Sequence, residues 1–144
     1  MATSATPSIH DPTSLDSSTL GKLAELGGRI LLAAIFLLSG LTKISGYTAT
    51  AGYMASMGVP GILLPLVIAT EVLGAVAIII GWNTRIAALL VAGFTVLAAI
   101  LFHNNFADQT QAIMFLKDIA ITGGLLVVAA NGAGPLSLDH RRSK

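Results

Sequence analysis

Apolar residues gather into four stretches, Leu23 to Ile44, Ile62 to Ile80, Arg85 to Phe102 and Ile113 to Ala130, separated by short polar or glycine-containing segments. Each approaches the roughly 20 residues that a helix rising about 1.5 Å per residue needs to cross ~30 Å of hydrocarbon. None shows the apolar–polar alternation over about 10 residues that marks a strand of a membrane barrel. The pattern predicts an all-α protein, an integral membrane four-helix bundle over residues 23–139. Between the first two helices, Ser45 to Gly61 holds Tyr47, Tyr53, Met54 and Met57 among small and polar residues, with no charge. This segment is expected to form a short interfacial helix or lid, ended by Gly58 and Pro60.

Helical phase marks the inward faces. In the third stretch Ala88, Ala92, Thr95, Ala99 and His103 follow at steps of three or four, one small-residue stripe ending at the histidine. Glu71, Gly74 and Ala75 share a face in the second stretch, and Lys117, Ala120 and Gly124 do in the fourth. Small residues let helix backbones approach closely in lipid, so these are the expected contact faces.

Composition agrees with the membrane assignment. Of 144 residues 54% are hydrophobic and 10% charged, and the mean hydropathy is +0.82. A soluble domain of this size has no interior large enough for that surface. Residues 1–22 are rich in Ser and Thr, with two prolines among them, and read as a disordered polar tail without the apolar core of a cleaved signal peptide. The first helix is then expected to act as an uncleaved anchor. Residues 140–144 form a short basic tail. Lys22, Arg29, Arg85, Arg141, Arg142 and Lys144 fall in the tails or near the turn from Gly81 to Arg85. That asymmetry predicts cytoplasmic termini in a bacterial inner membrane, with Arg29 and Arg85 as topology anchors. A net charge of +1 carries no nucleic-acid signature.

Cysteine is absent, which excludes thiol nucleophiles, disulfide exchange and iron–sulfur ligation within the chain. No zinc spacing, phosphate loop or Ser-His-Asp arrangement is visible, and no metal is expected. The polar groups of the helices fall near the outer boundary. Glu71 lies about 13 Å inward from Ile62, Ser39, Thr42 and Lys43 close the first helix, His103 closes the third, and Lys117 with Asp118 lie near the start of the fourth. A carboxylate at membrane depth costs roughly 2.5–3.5 kcal/mol on insertion scales, which makes Glu71 a functional-site candidate. Plainer roles stand beside each. Lys43 and Lys117 are long enough to snorkel to the headgroups, His103 suits a helix end, and Asp118 suits the positive N-terminus of the fourth helix. Glu71 itself can lock helix packing through Ser39 or Thr42.

The order of landmarks resembles the DoxX family of small bacterial membrane proteins. The resemblance rests on Arg29-Ile-Leu-Leu-Ala, Phe36, Ser39-Gly40-Leu41 and Lys43-Ile44, then Met57-Gly58-Val59-Pro60 and Glu71 with Gly74. It continues through Gly81, Thr84-Arg85, His103, Lys117 with Gly123-Gly124-Leu125-Leu126, and the run Gly132 to Asp139. It implies a four-helix inner-membrane protein with a redox role, since members are linked to a quinol-oxidising thiosulfate dehydrogenase, to quinone-stress resistance and to oxidative-stress proteins. The missing cysteine departs from any thiol-based version of that role. Glu71, His103 and Lys117 match recurrent polar positions of the family and are carried over as the implied catalytic residues. Lys43, Asp118, Ser39 and Thr42 are expected to bind ligand.

The expectation is therefore a quinone-interacting oxidoreductase subunit or quinone-stress protein in the lipid bilayer. It has no electron-storing motif, so a soluble redox partner or second subunit would supply electrons. A proton-coupled transporter, more plausible as a homo-oligomer, and a noncatalytic scaffold for a soluble partner are the alternatives.

Overall fold

The structure, a computed structural model, describes residues 17–143. Among these the chain forms α1 (Ser17–Ser45), α2 (Tyr47–Ser56), a 3₁₀ turn (Gly61–Leu63), α3 (Leu64–Ile80), α4 (Thr84–Phe102), α5 (Gln109–Asn131) and α6 (Leu138–Arg142), with no strand. Four of the helical segments are long and apolar enough to span a membrane: Ser18–Ser45, Gly61–Ile80, Thr84–Phe102 and Gln109–Asn131. The expected four-helix bundle is therefore present, and α2 supplies the short helix expected between the first two spans.

Several boundaries differ from the hydropathy pattern. Most of the expected polar tail, residues 1–16, lies outside the described residues. Ser17 to Lys22, however, are helical and belong to α1, because each residue added to an existing helix gains a hydrogen bond without a new nucleation cost. The fourth span starts at Gln109 rather than Ile113, since Asp108 accepts from the backbone N–H groups of Thr110 and Gln111 and caps the first turn. The basic C-terminal segment folds into α6, capped by Ser137.

α1 packs along α3 and α5 along α4, while a looser α3–α4 contact joins the two pairs. The centre holds Ala33, Ala75, Ala88, Ala92 and Ala129 around Phe36, Ile78, Val91 and Leu125. Large aliphatic residues point outward instead: Leu31, Ile62, Leu66, Leu73, Leu90 and Leu116 are between 65% and 86% exposed. Lipid tails are as apolar as leucine, so close backbone packing rather than burial of leucine holds such helices together. The stripe Ala88, Ala92, Thr95 and Ala99 is buried, as its phase predicted.

The end of the bundle near Gly81, called proximal here, is closed by an arginine and an aspartate. Arg29 is 3% exposed and donates to Ile78 O at 3.0 Å, Ile79 O at 3.2 Å and Leu136 O at 2.6 Å. It satisfies carbonyls that the end of α3 leaves without helical partners, a role beyond the topology anchor expected of it. Its planar fork of donors serves several acceptors at once. Asp139 accepts from Asn83 N, Thr84 N and Thr84 Oγ1, each at 2.8 Å, and its own N–H donates to Gly81 O at 2.8 Å. It thereby caps α4 and fastens the C-terminal segment across the α3–α4 turn. Gly81 has φ +71°, and a Cβ there would meet Ser137 and Arg29, so this turn has room for glycine alone.

Burial raises the affinity of the Asp139 carboxyl for its proton. Hydrogen bonds from the Thr84 N–H, Thr84 hydroxyl and Asn83 N–H, with the Arg142 charge, outweigh that and hold its pKa below the usual 3.8. A depressed folded-state value contributes stability that is complete above the unfolded value and is lost as pH falls through the folded one. Asp139→Asn is expected to lose about 0.5–2 kcal/mol at neutral pH, as for a lost cap. Unfolding in detergent followed by circular dichroism should also show less loss of stability below pH 4 in this variant than in the wild type. Arg29→Lys is expected to lower stability by about 1–3 kcal/mol by leaving buried carbonyls unpaired. A thermal melt indistinguishable from wild type would count against the capping role.

Candidate functional site

Along the α3–α4 seam the bundle opens into a cleft of about 990 Å³, whose charged groups gather at the end away from Gly81, called distal here. Its apolar length runs between α3 and α4, from Trp82 and Ile86 past Leu73 and Leu90 to Glu71. Ser39, Lys43, Glu71, His103, Lys117 and Asp118 all line it. From α2, Thr50, Tyr53 and Met54 cover the polar end, where Tyr53 stacks on Phe102 with ring centroids 5.7 Å apart.

One wall is built by α1 and α3. Ser39 and Lys43 are one turn apart on α1 and so present both side chains to the same neighbour. Lys43 Nζ lies 2.9 Å from Glu71 Oε1 and donates to Ser39 Oγ at 2.5 Å, while Ser39 Oγ donates to Glu71 Oε1 at 3.2 Å. The helices can come this close because Gly40 faces α3, where a Cβ would stand 2.6 Å from Val72 Cγ2 and 3.3 Å from Glu71 Cβ. Lys43 therefore turns inward rather than snorkelling. Glu71 is 5% exposed, and its Oε2 is buried with no hydrogen-bond partner among the described residues.

The other wall comes from α4 and α5. His103 Nδ1 is 2.8 Å from Gln111 Oε1, and its Nε2 is 3.8 Å from Asp118 Oδ2. Asp118 lies well inside α5, whose N-terminus is capped by Asp108, so the helix-start role fits Asp108 instead. No hydrogen bond or ion pair joins the two walls among the described residues.

Two expectations fail here. Thr42 donates to Leu38 O at 2.8 Å on its own helix and is absent from the cleft lining. Such back-bonding satisfies the hydroxyl locally, which removes any need for a partner across the bundle. Of the expected inward face of α5, Gly124 does pack on Leu32 of α1, but Lys117 and Ala120 are exposed. The main inward row is Asp118, Ile121, Leu125 and Ala129, of which Leu125 and Ala129 are buried. Lys117 stays at the rim, its Nζ on Met114 Sδ at 3.1 Å.

Gln111 and Asp108 were legible only as loop polarity, although Asp108 with Gln111 three residues on has the spacing of a helix-start capping pair. Thr95, on the predicted stripe, lines the cleft but donates to Val91 O at 2.7 Å. No group of three or more His, Asp or Glu among the described residues is placed to hold a metal ion.

Comparison with known proteins places this architecture. The DoxX family model matches residues 24–104, which includes Lys43, Glu71 and His103 and ends before α5. Inner membrane protein YqjF of Escherichia coli is 47% identical over 126 residues, 85% of this chain and 97% of that protein. Inner membrane protein YphA of the same organism is 36% identical over 59% of this chain and 66% of its own length. The ER-derived vesicles protein ERV29 of Saccharomyces cerevisiae is 28% identical over 52% of this chain and 26% of its own length. No solved structure matches the chain. On the strength of the family match and of a relative aligned over nearly its whole length, this chain is a membrane protein of the DoxX family.

Proposed function

We propose that the protein binds a quinone-type amphiphile in the distal cleft and serves as a redox-linked membrane subunit. The observation that carries this reading is the shape of the cleft. A long apolar channel ends at a paired lysine and glutamate whose second carboxylate oxygen is unpartnered. An isoprenoid chain suits the channel between α3 and α4, and a polar ring suits the charged end.

The roles of the residues follow from their positions. Glu71, which lines the cleft with one carboxylate oxygen unpartnered, is the residue assigned to contact the polar head group. Lys117, held only by a thioether, is a donor available to a ligand oxygen at the rim. His103 is oriented by Gln111 and faces Asp118, which suits relaying a proton toward the distal surface. Lys43 and Ser39 fix Glu71 against α1. The chain carries no electron-storing motif, so electrons come from a soluble partner or another subunit.

The orientation we propose puts both termini in the cytoplasm and the cleft at the opposite face, following the basic residues Lys22, Arg85, Arg141 and Arg142.

Organic extracts of the purified wild type and Glu71→Gln, normalised to folded protein, are expected to differ on mass spectrometry. The wild type should carry quinone, oxidised and reduced forms counted together, near one equivalent and the variant a small fraction of it. Quinone in the wild type no higher than in an unrelated four-helix membrane protein would contradict the reading. For orientation, a green fluorescent protein fused after residue 144 is expected to fluoresce, while alkaline phosphatase fused there stays inactive. The reverse pattern would invert the proposed topology.

A further inference from the structure

Each wall of the cleft carries a carboxylate that is short of donors. Glu71 accepts both Lys43 and Ser39 at Oε1, and its Oε2 accepts from nothing among the described residues. Glu71 is more than nine-tenths buried and lines the cleft. Across from it, Asp118 Oδ2 lies 3.8 Å from His103 Nε2, beyond hydrogen-bond reach. Its carboxylate has no shorter side-chain partner among the described residues. A carboxylate paired with an ammonium group only accepts, and a buried acceptor without a donor is rare in folded proteins.

Lys117 and the Tyr53 hydroxyl remain as donors in the lining, but the donors around Glu71 are committed. Lys43 is held at Glu71 and Ser39, the Ser39 hydroxyl at Glu71, and His103 Nδ1 at Gln111. Thr95 gives its hydroxyl proton to its own helix. What the cleft still needs deep inside, at Glu71, is therefore a donor. The remaining lining is apolar and runs along Leu73, Leu90 and Leu97, which are more than half exposed on the bundle's outer surface. In a bilayer that surface faces lipid, so a ligand dissolved in the membrane has a lateral path to the acid.

We infer that the cleft selects a membrane-soluble amphiphile whose head group donates a hydrogen bond to Glu71, as a phenol or hydroquinone hydroxyl does, over one whose head only accepts, such as a quinone carbonyl or an aryl ether. This rests on the reading of the cleft as an amphiphile site and adds the chemical form of the occupant. Oxidised head groups, lacking the proton, leave Oε2 as empty as it is without ligand. A hydroxyl fills it, and the hydrocarbon part lies between α3 and α4.

The test uses a pair of probes that differ in the donor and share nearly all else, 4-octylphenol and 4-octylanisole, with decylubiquinone as a third. Wild-type protein in lipid nanodiscs is equilibrated with each, and retention above that of empty nanodiscs is read by mass spectrometry. Wild type is expected to retain the phenol about tenfold better than the ether, the worth of one hydrogen bond to a charged acceptor. In Glu71→Gln with unchanged helicity the preference should shrink to about twofold, since an amide offers a weaker acceptor and a competing donor. Equal retention of phenol and ether by the wild type overturns the inference and needs no variant to do so. A preference that survives unchanged in Glu71→Gln overturns it as well.

The two readings fail separately. Decylubiquinone retained as strongly as the phenol removes the donor selectivity and leaves the quinone reading standing. Phenol selectivity in a protein whose extracts carry no quinone keeps the donor site and removes the quinone.

Discussion

The contact between Lys43 and Glu71, 2.9 Å across the α1–α3 interface, is the constraint on which the distal half of the bundle depends. A lone carboxylate at that depth is unfavourable, and so is a lone ammonium. Together, with Ser39 bridging them, they form a neutral unit that tolerates an apolar setting. Breaking a buried pair by removing one partner is far more damaging than replacing both, because the survivor is left charged and unpaired. The pair sets the distance between α1 and α3, which is why Gly40 must stand opposite Val72 and Glu71. It also leaves one oxygen of this cleft-lining carboxylate without a partner among the described residues.

The proximal end is organised by a different principle. There the terminal nitrogens of Arg29 donate to the carbonyls ending α3, and Asp139 accepts from the N–H groups starting α4. Both clamp the C-terminal segment over the α3–α4 turn. With α1–α3 and α4–α5 each tightly packed, the looser α3–α4 seam stays open along its length, from Trp82 at the proximal end to Glu71 and His103 at the distal one. Small core residues make this arrangement possible, because alanine and glycine faces fill the tight contacts and leave the large side chains to lipid. The cleft is the space between two well-packed helix pairs rather than a hollow within one.

Much of this was legible in the sequence, for physical reasons. Four helical spans follow from hydropathy, because only helices and closed barrels satisfy the backbone in lipid and these stretches lack the alternation of barrel strands. The stripe from Ala88 to His103 follows from phase, and Glu71 follows from the cost of its charge. What escaped was partner identity. Arg29 shows its charge in the sequence but not the three carbonyls it meets, which come from α3 and from a segment about a hundred residues away. Lys117 and Asp118 are neighbours in sequence and about 100° apart around α5. With apolar residues on every side of that helix, only tertiary packing decides which of the two faces inward. Thr42 carries a hydroxyl that its own helix satisfies, so its polarity points nowhere. The start of α1 escaped because Ser and Thr lower hydropathy without preventing a helix from propagating.

The central claim, that a coupled lysine–glutamate pair organises the site, is tested most directly by a double-mutant cycle. Stabilities of wild type, Lys43→Met, Glu71→Gln and the double variant would be measured by reversible denaturation in mixed micelles. A coupling energy of at least about 1 kcal/mol is predicted, with the double variant more stable than the additive sum of the single changes implies. Additive effects, with coupling within about 0.3 kcal/mol of zero, would contradict the account by showing that the two charges act independently in the folded bundle.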